Sequence, residues 1–160
     1  MDRNETSLRK VRLLLGLVTA GLFVSGVTVW PALPELRWLA GITMGLPALH
    51  AWILTCIAGL EATGRDYPFL FYAGDWLAFA HVMLVVLFLG AMKDPLRNLW
   101  VVQFGLICCV AVIPLALICG PLRGIPGFWL AIDCAFAPAA GIPLWMAYRL
   151  LRRAEAGQPA

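Results

Sequence analysis

The chain has 160 residues, 62% of them hydrophobic and 13% charged, with a formal net charge of +3 and a mean hydropathy of +0.86. Soluble domains average about 45–50% apolar and about 25% charged residues, so this balance argues against a soluble globular domain and for a chain solvated by lipid. It lacks a basic face with interleaved aromatics, which argues against nucleic acid as a partner, and it carries no GxGxxG, GxxxxGK[ST] or HExxH motif.

Five apolar runs follow one another, at about 11–30, 38–60, 71–92, 98–119 and 126–148. Each approaches the roughly 20 residues a helix needs to cross hydrocarbon. The first follows Arg9, Lys10 and Arg12, is too long for a signal-peptide core, and leads into WPALPELRW rather than a small-residue cleavage site, so it reads as an uncleaved anchor. Gly41, Gly45, Pro47 and His50 interrupt the second run. Asp94-Pro95 is expected to cap and open the fourth, Gly120-Pro121 to stop it, and Pro126 to start the fifth. Pro114, Pro138 and Pro143 predict kinks in the last two helices, and about the last eight residues read as a frayed tail.

Charge counting separates two topologies. With five crossings, Lys and Arg divide six against six, which is no bias. If 38–60 does not cross, the N-terminus, the Lys93/Arg97 connection and the C-terminus share nine against three (Arg37, Arg65, Arg123). A Lys/Arg excess marks the cytoplasmic side. The expected fold is therefore an all-α integral membrane bundle: four transmembrane helices, an interfacial or re-entrant helical segment at 38–60, and a cytoplasmic N-terminus. Five transmembrane helices is the alternative.

Under either topology the start of the 71–92 span faces the same side as the loop between the last two spans. That places Glu61, Arg65, Asp66 and Asp75 on one membrane face with Arg123. His81 lies roughly 9 Å deeper than Asp75, and Asp133 roughly 10 Å below Pro126, at about 1.5 Å per helical residue. Two ionisable groups at matched depth can lower each other's cost in lipid, so His81 and Asp133 are expected to pair beneath a mouth of Glu61, Arg65 and Arg123. Asp75, about 120° around the helix from His81, caps its helix or meets Arg65 or Arg123. The competing reading is structural, a pair that fixes helix register. Gln103 is expected to hydrogen-bond between helices.

Cys56, Cys108, Cys109, Cys119 and Cys134 lie mostly in apolar runs without a CxxC, so they read as buried free thiols and no metal site is expected. Trp and Tyr residues cluster near the span ends as an interfacial belt. Gly16-xxx-Ala20, Gly21-xxx-Ser25 and Ala137-xxx-Gly141 offer small faces for helix packing.

The segments YPFLFYAGDWLAFAH, KDPLRN and GPLRGIPGFWLAID, within residues 61–150, resemble a pattern shared by small, uncharacterised bacterial multi-helix membrane proteins. The resemblance implies a bacterial inner membrane location and carries no activity. The size and the seven tryptophans also invite comparison with the tryptophan-rich sensory proteins, whose Trp-x-Pro-Asn type motif is missing here.

The functional expectation is a non-enzymatic accessory or binding module with no catalytic residues. Its partners would be the bilayer and other membrane proteins or a second copy. One alternative is a haem-binding redox protein using His50 and His81 as axial ligands. Another is a proton-coupled membrane enzyme or transporter using His81 and Asp133.

Overall fold

The computed structural model describes residues 3–157. The chain is all-helical, without a strand among the described residues. It forms α1 (Arg3–Val27), α2 (Ala32–Ile42), α3 (Pro47–Asp66), a 3-10 turn (Pro68–Leu70), α4 (Phe71–Lys93), α5 (Leu99–Leu122) and α6 (Gly127–Glu155). Among the described residues, four stretches are long and apolar enough to cross a membrane: Glu5–Val27, Pro68–Lys93, Leu99–Leu122 and Gly127–Glu155. Their surfaces carry large apolar side chains in the open, such as Leu13, Val110, Ile118 and Phe136, each more than 60% exposed. Such a surface is stable only against lipid or another protein. The multi-pass membrane class expected from composition therefore stands.

The run at 38–60 does not form one helix. It divides between α2 and α3 around Thr43–Leu46, where Gly45 and Pro47 sit. Pro47 takes the first position of α3, where its missing N–H costs nothing. The apolar part of α3, Ala48 to Leu60, then gives way to Glu61, Arg65 and Asp66. Neither α2 nor α3 is among the helices long and apolar enough to span.

Helix ends differ from the sequence expectation in three places. Asp94-Pro95 does not open α5: Asp94 closes a turn instead, its carboxylate accepting from Arg97 N–H at 3.3 Å and its carbonyl from Asn98 Nδ2 at 2.9 Å. Gly120-Pro121 does not stop α5, which continues to Leu122 and ends in a Schellman arrangement. There Ile125 N–H reaches the Gly120 carbonyl, Gly124 N–H reaches that of Pro121, and Gly124 takes φ +70°. Finally, α6 continues past 148 to Glu155, because a helix can outrun its apolar stretch when Arg149, Arg152 and Arg153 project into water. Of the expected frayed tail, Gln158–Ala160 lie outside the described residues.

Two compact units divide the chain. The first is residues 1–21 with 84–160. Its centre is the antiparallel α5–α6 hairpin. Along α6, Leu130, Ala137, Leu144 and Leu151 are buried at intervals of seven residues, the spacing of a left-handed coiled-coil seam. Glycines let the backbones approach: Gly105 lies against Leu144 and Phe88, Gly120 against Leu130, and Gly141 against Cys109. The anticipated Ala137–Gly141 face is thus used. In the same unit Val11, Leu15 and Val18 form the buried face of α1. Arg12 Nε donates to the Met92 carbonyl at 3.2 Å, capping the C-terminal end of α4.

The second unit is residues 22–83. Here the end of α1 meets the start of α4 through glycine: a Cβ placed on Gly26 would lie 2.8 Å from His81 Cβ and 3.3 Å from the Ala78 carbonyl. Gly21-xxx-Ser25 is not the packing face, since Ser25 is exposed and nothing lies within 4 Å of a Cβ at Gly21. Two glycines five residues apart therefore make opposite predictions. Replacing Gly by Ala favours a helix by about 1 kcal/mol, which Gly21→Ala should keep. Gly26→Ala must displace a Cβ and a backbone oxygen, and overpacking costs about 1–3 kcal/mol. Thermal unfolding in detergent should show Gly26→Ala less stable than wild type and Gly21→Ala at least as stable. A Gly26→Ala protein as stable as Gly21→Ala would remove this contact as a determinant of the fold.

Candidate functional site

Within the second unit, Glu61 accepts from Arg37 Nη2 at 2.7 Å, tying α3 to α2. Both side chains are about half exposed, so screening by water leaves the pair worth little as stability and more as a lateral tie. Arg65 bonds its neighbour Asp66 at 3.1 Å. Two members of the expected mouth thus have partners on their own helical segment or on the one beside it.

His50 belongs to the same small framework. The Thr43 hydroxyl, buried at the C-terminal end of α2, donates to the Leu39 carbonyl at 2.9 Å. That single proton is then spent, so its oxygen receives the His50 Nδ1–H at 3.5 Å. His50 thereby joins the first turn of α3 to the last of α2.

His81 Nδ1 lies 2.8 Å from the Leu77 carbonyl. A carbonyl only accepts, so Nδ1 carries the proton and Nε2 keeps its lone pair in the neutral ring. The residue shares the stripe of Ala78 and Gly74, which meets the small end of α1. Asp75 lies elsewhere on α4. It does not cap the helix, which begins at Phe71 after a turn opened by Pro68, nor does it meet Arg65. Its carboxylate is exposed in a shallow depression of about 230 Å³ lined by Tyr72, Asp75, Trp76 and Phe79. The rings meet edge to face, Tyr72 on Trp76 at 6.0 Å and Trp76 on Phe79 at 5.9 Å. The spacing 72, 75, 76, 79 is one helical face, a signal the sequence contained but the interfacial-belt reading absorbed.

Within the first unit, Arg123 occupies the C-cap of α5. Asp133 is half-buried, three residues beyond Leu130 and so on the stripe that α6 turns toward α5. Neither side chain makes an ion pair or hydrogen bond among the described residues.

All five cysteines are free. Burial pushes the Cys56 thiol above its ordinary pKa, which disfavours the thiolate a nucleophile needs. Among the described residues no group of three or more His, Cys, Asp or Glu side chains could hold a metal ion.

No protein family, curated protein or solved structure matches the chain. Fold and composition define its class: a multi-pass helical membrane protein.

The site geometry separates framework from free groups. Thr43→Val removes a buried hydrogen-bond partner of His50 and should cost about 1 kcal/mol. Asp75→Asn touches no partner and should stay within about 0.5 kcal/mol of wild type. Chemical unfolding in one detergent would compare them directly, and equal losses would contradict the assignment.

Proposed function

We propose that this chain is a four-span protein of a bacterial inner membrane, acting as a non-enzymatic accessory or binding module. Its N-terminus, the connection at Lys93–Asn98 and its C-terminus lie in the cytoplasm. α2 and α3 form an outer cap lying in or dipping into the opposite interface. The orientation rests on the nine-to-three division of Lys and Arg. The observation that carries the binding role is that Glu61, Arg65 and His50 are each held by a partner within the cap: Arg37, Asp66 and Thr43 respectively. A cap assembled this way presents the exposed Trp38, Met44 and Phe69 to a neighbour rather than an acid–base pair to a substrate.

Two measurements test this reading. In a background without native cysteines, Tyr67→Cys should react with an impermeant thiol reagent on intact cells, and Ala156→Cys only after lysis. The reverse pattern would invert the protein and remove the outer cap. A photo-crosslinking amino acid at Trp38 or Phe69, in native membranes, should then yield a discrete protein adduct. Adducts with lipid alone at both positions would contradict an accessory role.

A specific observation favours haem as the second reading. Both histidines engage Nδ1, with Leu77 and Thr43, leaving Nε2 as the available lone pair. That is the arrangement in which a ligating imidazole is oriented from behind. Haem titration of the purified protein should then produce a Soret shift that His81→Ala abolishes. An unchanged haem spectrum would end this reading without touching the first. His81 with Asp133 as a proton-transfer pair, in an enzyme or transporter, has no comparable support.

A further inference from the structure

The last three turns of α6 carry an arrangement that the outer cap does not involve. Trp145 and Tyr148 stack there, with ring centroids 5.7 Å apart and planes 26° apart. Arg149 follows Trp145 by four residues, Arg152 follows Tyr148 by four, and Arg153 follows Arg149 by four. These residues therefore share one side of the helix. Tyr148, Arg149, Arg152 and Arg153 line an open depression of about 300 Å³.

The rotation of this face is fixed from behind. Ala147 and Leu151, on the opposite side of α6, are fully buried within the first unit, so the arginines cannot turn inward. The charges are also largely uncompensated. Arg152 is held by Glu155 at 3.0 Å, while Arg149 and Arg153 make no ion pair or hydrogen bond among the described residues. Depth follows from the aromatics. Trp and Tyr settle at headgroup level, and Arg149 to Arg153 follow Tyr148 by roughly 1.5–7.5 Å along the helix at about 1.5 Å per residue. That is the layer of lipid phosphates.

We propose that this depression binds the phosphodiester headgroup of one anionic phospholipid, with Arg149 and Arg153 as its donors. Guanidinium groups present paired N–H donors that match phosphate oxygens, which a single ammonium does not. Ile142 and Met146, exposed one to two turns back along α6, give the acyl chains an apolar surface on the lipid side. The phosphate contact distinguishes this site from a general basic collar, whose arginines would attract anionic lipid diffusely and in proportion to their number. It holds for either orientation of the protein; in the orientation proposed above the lipid comes from the cytoplasmic leaflet.

The test uses the whole chain in a mild non-ionic detergent, with phosphatidylglycerol and phosphatidylcholine supplied in equal amounts and bound lipid counted by native mass spectrometry. Wild type should retain one phosphatidylglycerol, with a preference of about tenfold or more over phosphatidylcholine. The double variant R149Q/R153Q should lose that preference, R149K should weaken it, and R97Q should keep it. Arg97 is an exposed arginine outside the depression, and R97Q is compared with the single variant R149Q, which removes the same one charge. Equal retention of both lipids by wild type would overturn the proposal. So would a preference that survives R149Q/R153Q or falls equally in R97Q. Inorganic phosphate at the same concentration should leave the lipid bound; complete displacement would assign the site to free phosphate and overturn the lipid. Because the substituted arginines are exposed, thermal unfolding of the variants without added lipid should match wild type. Should the double variant unfold, R149K and R97Q still decide the outcome.

Discussion

Helices in hydrocarbon gain nothing by hiding leucine from lipid, so what holds them together is how closely their backbones can approach. That constraint organises this chain. Gly141 lies in ordinary contact with Cys109, while Gly105 and Gly120 set the α5–α6 hairpin by admitting Leu144 and Leu130 into the space a Cβ would fill. Gly26 does the same for His81 and Ala78. The buried side chains are accordingly few and small beside the many large apolar ones left facing outward. The pairs 105 with 144, 109 with 141 and 120 with 130 run in opposite senses along the two helices, as a single antiparallel register requires.

Polar groups obey a second rule within the same frame. Those on α2 and α3 find partners nearby in sequence or on the adjacent helix: Arg37 with Glu61, Arg65 with Asp66, and Thr43 with His50. Those on the spanning helices divide. His81 turns its Nδ1–H back onto its own helix at Leu77, which satisfies that donor without a second helix. Asp133 makes no such bond, and Asp75 stands among aromatic rings. A carboxylate has no proton to return to its own helix, which is why the two acids and the histidine behave differently on similar helices.

The spans were legible because hydropathy integrates over twenty residues and tolerates local error. The break in 38–60 was legible too, since Gly45 and Pro47 are both poor helix formers and stand together. Helix ends were not. Gly120-Pro121 carries the usual stop signal, yet Gly124, with φ +70°, ends α5, because both residues fit a final helical turn and only Gly124 relieves the chain reversal. Within α2 and α3 the residues of the expected site were legible, while the ties of Glu61 to Arg37 and of Arg65 to Asp66 were not. Depth along a helix can be counted from sequence, whereas the rotation that brings His81 Cβ against Gly26 depends on packing. The basic face of α6 was read only as a contribution to a charge count, although the spacing of Arg149, Arg152 and Arg153 already placed them together.

The tight closure between α5 and α6 also bears on how the protein enters its membrane. In the proposed orientation, the segment joining these helices must pass through the bilayer during synthesis, and it is only Arg123 to Pro126. Its backbone is folded back on itself by the Gly120 and Pro121 carbonyls, and it carries a single cation. On the other side lie Lys93 and Arg97, just before α5, and the three arginines of the α6 terminus, which stay behind. The two helices can therefore partition as one preformed hairpin, with one guanidinium as the charge that must be dehydrated in transit. The α2–α3 segment crosses on different terms: it takes about as many acids as bases with it, and with their charges balanced it exerts little electrostatic pull toward either side.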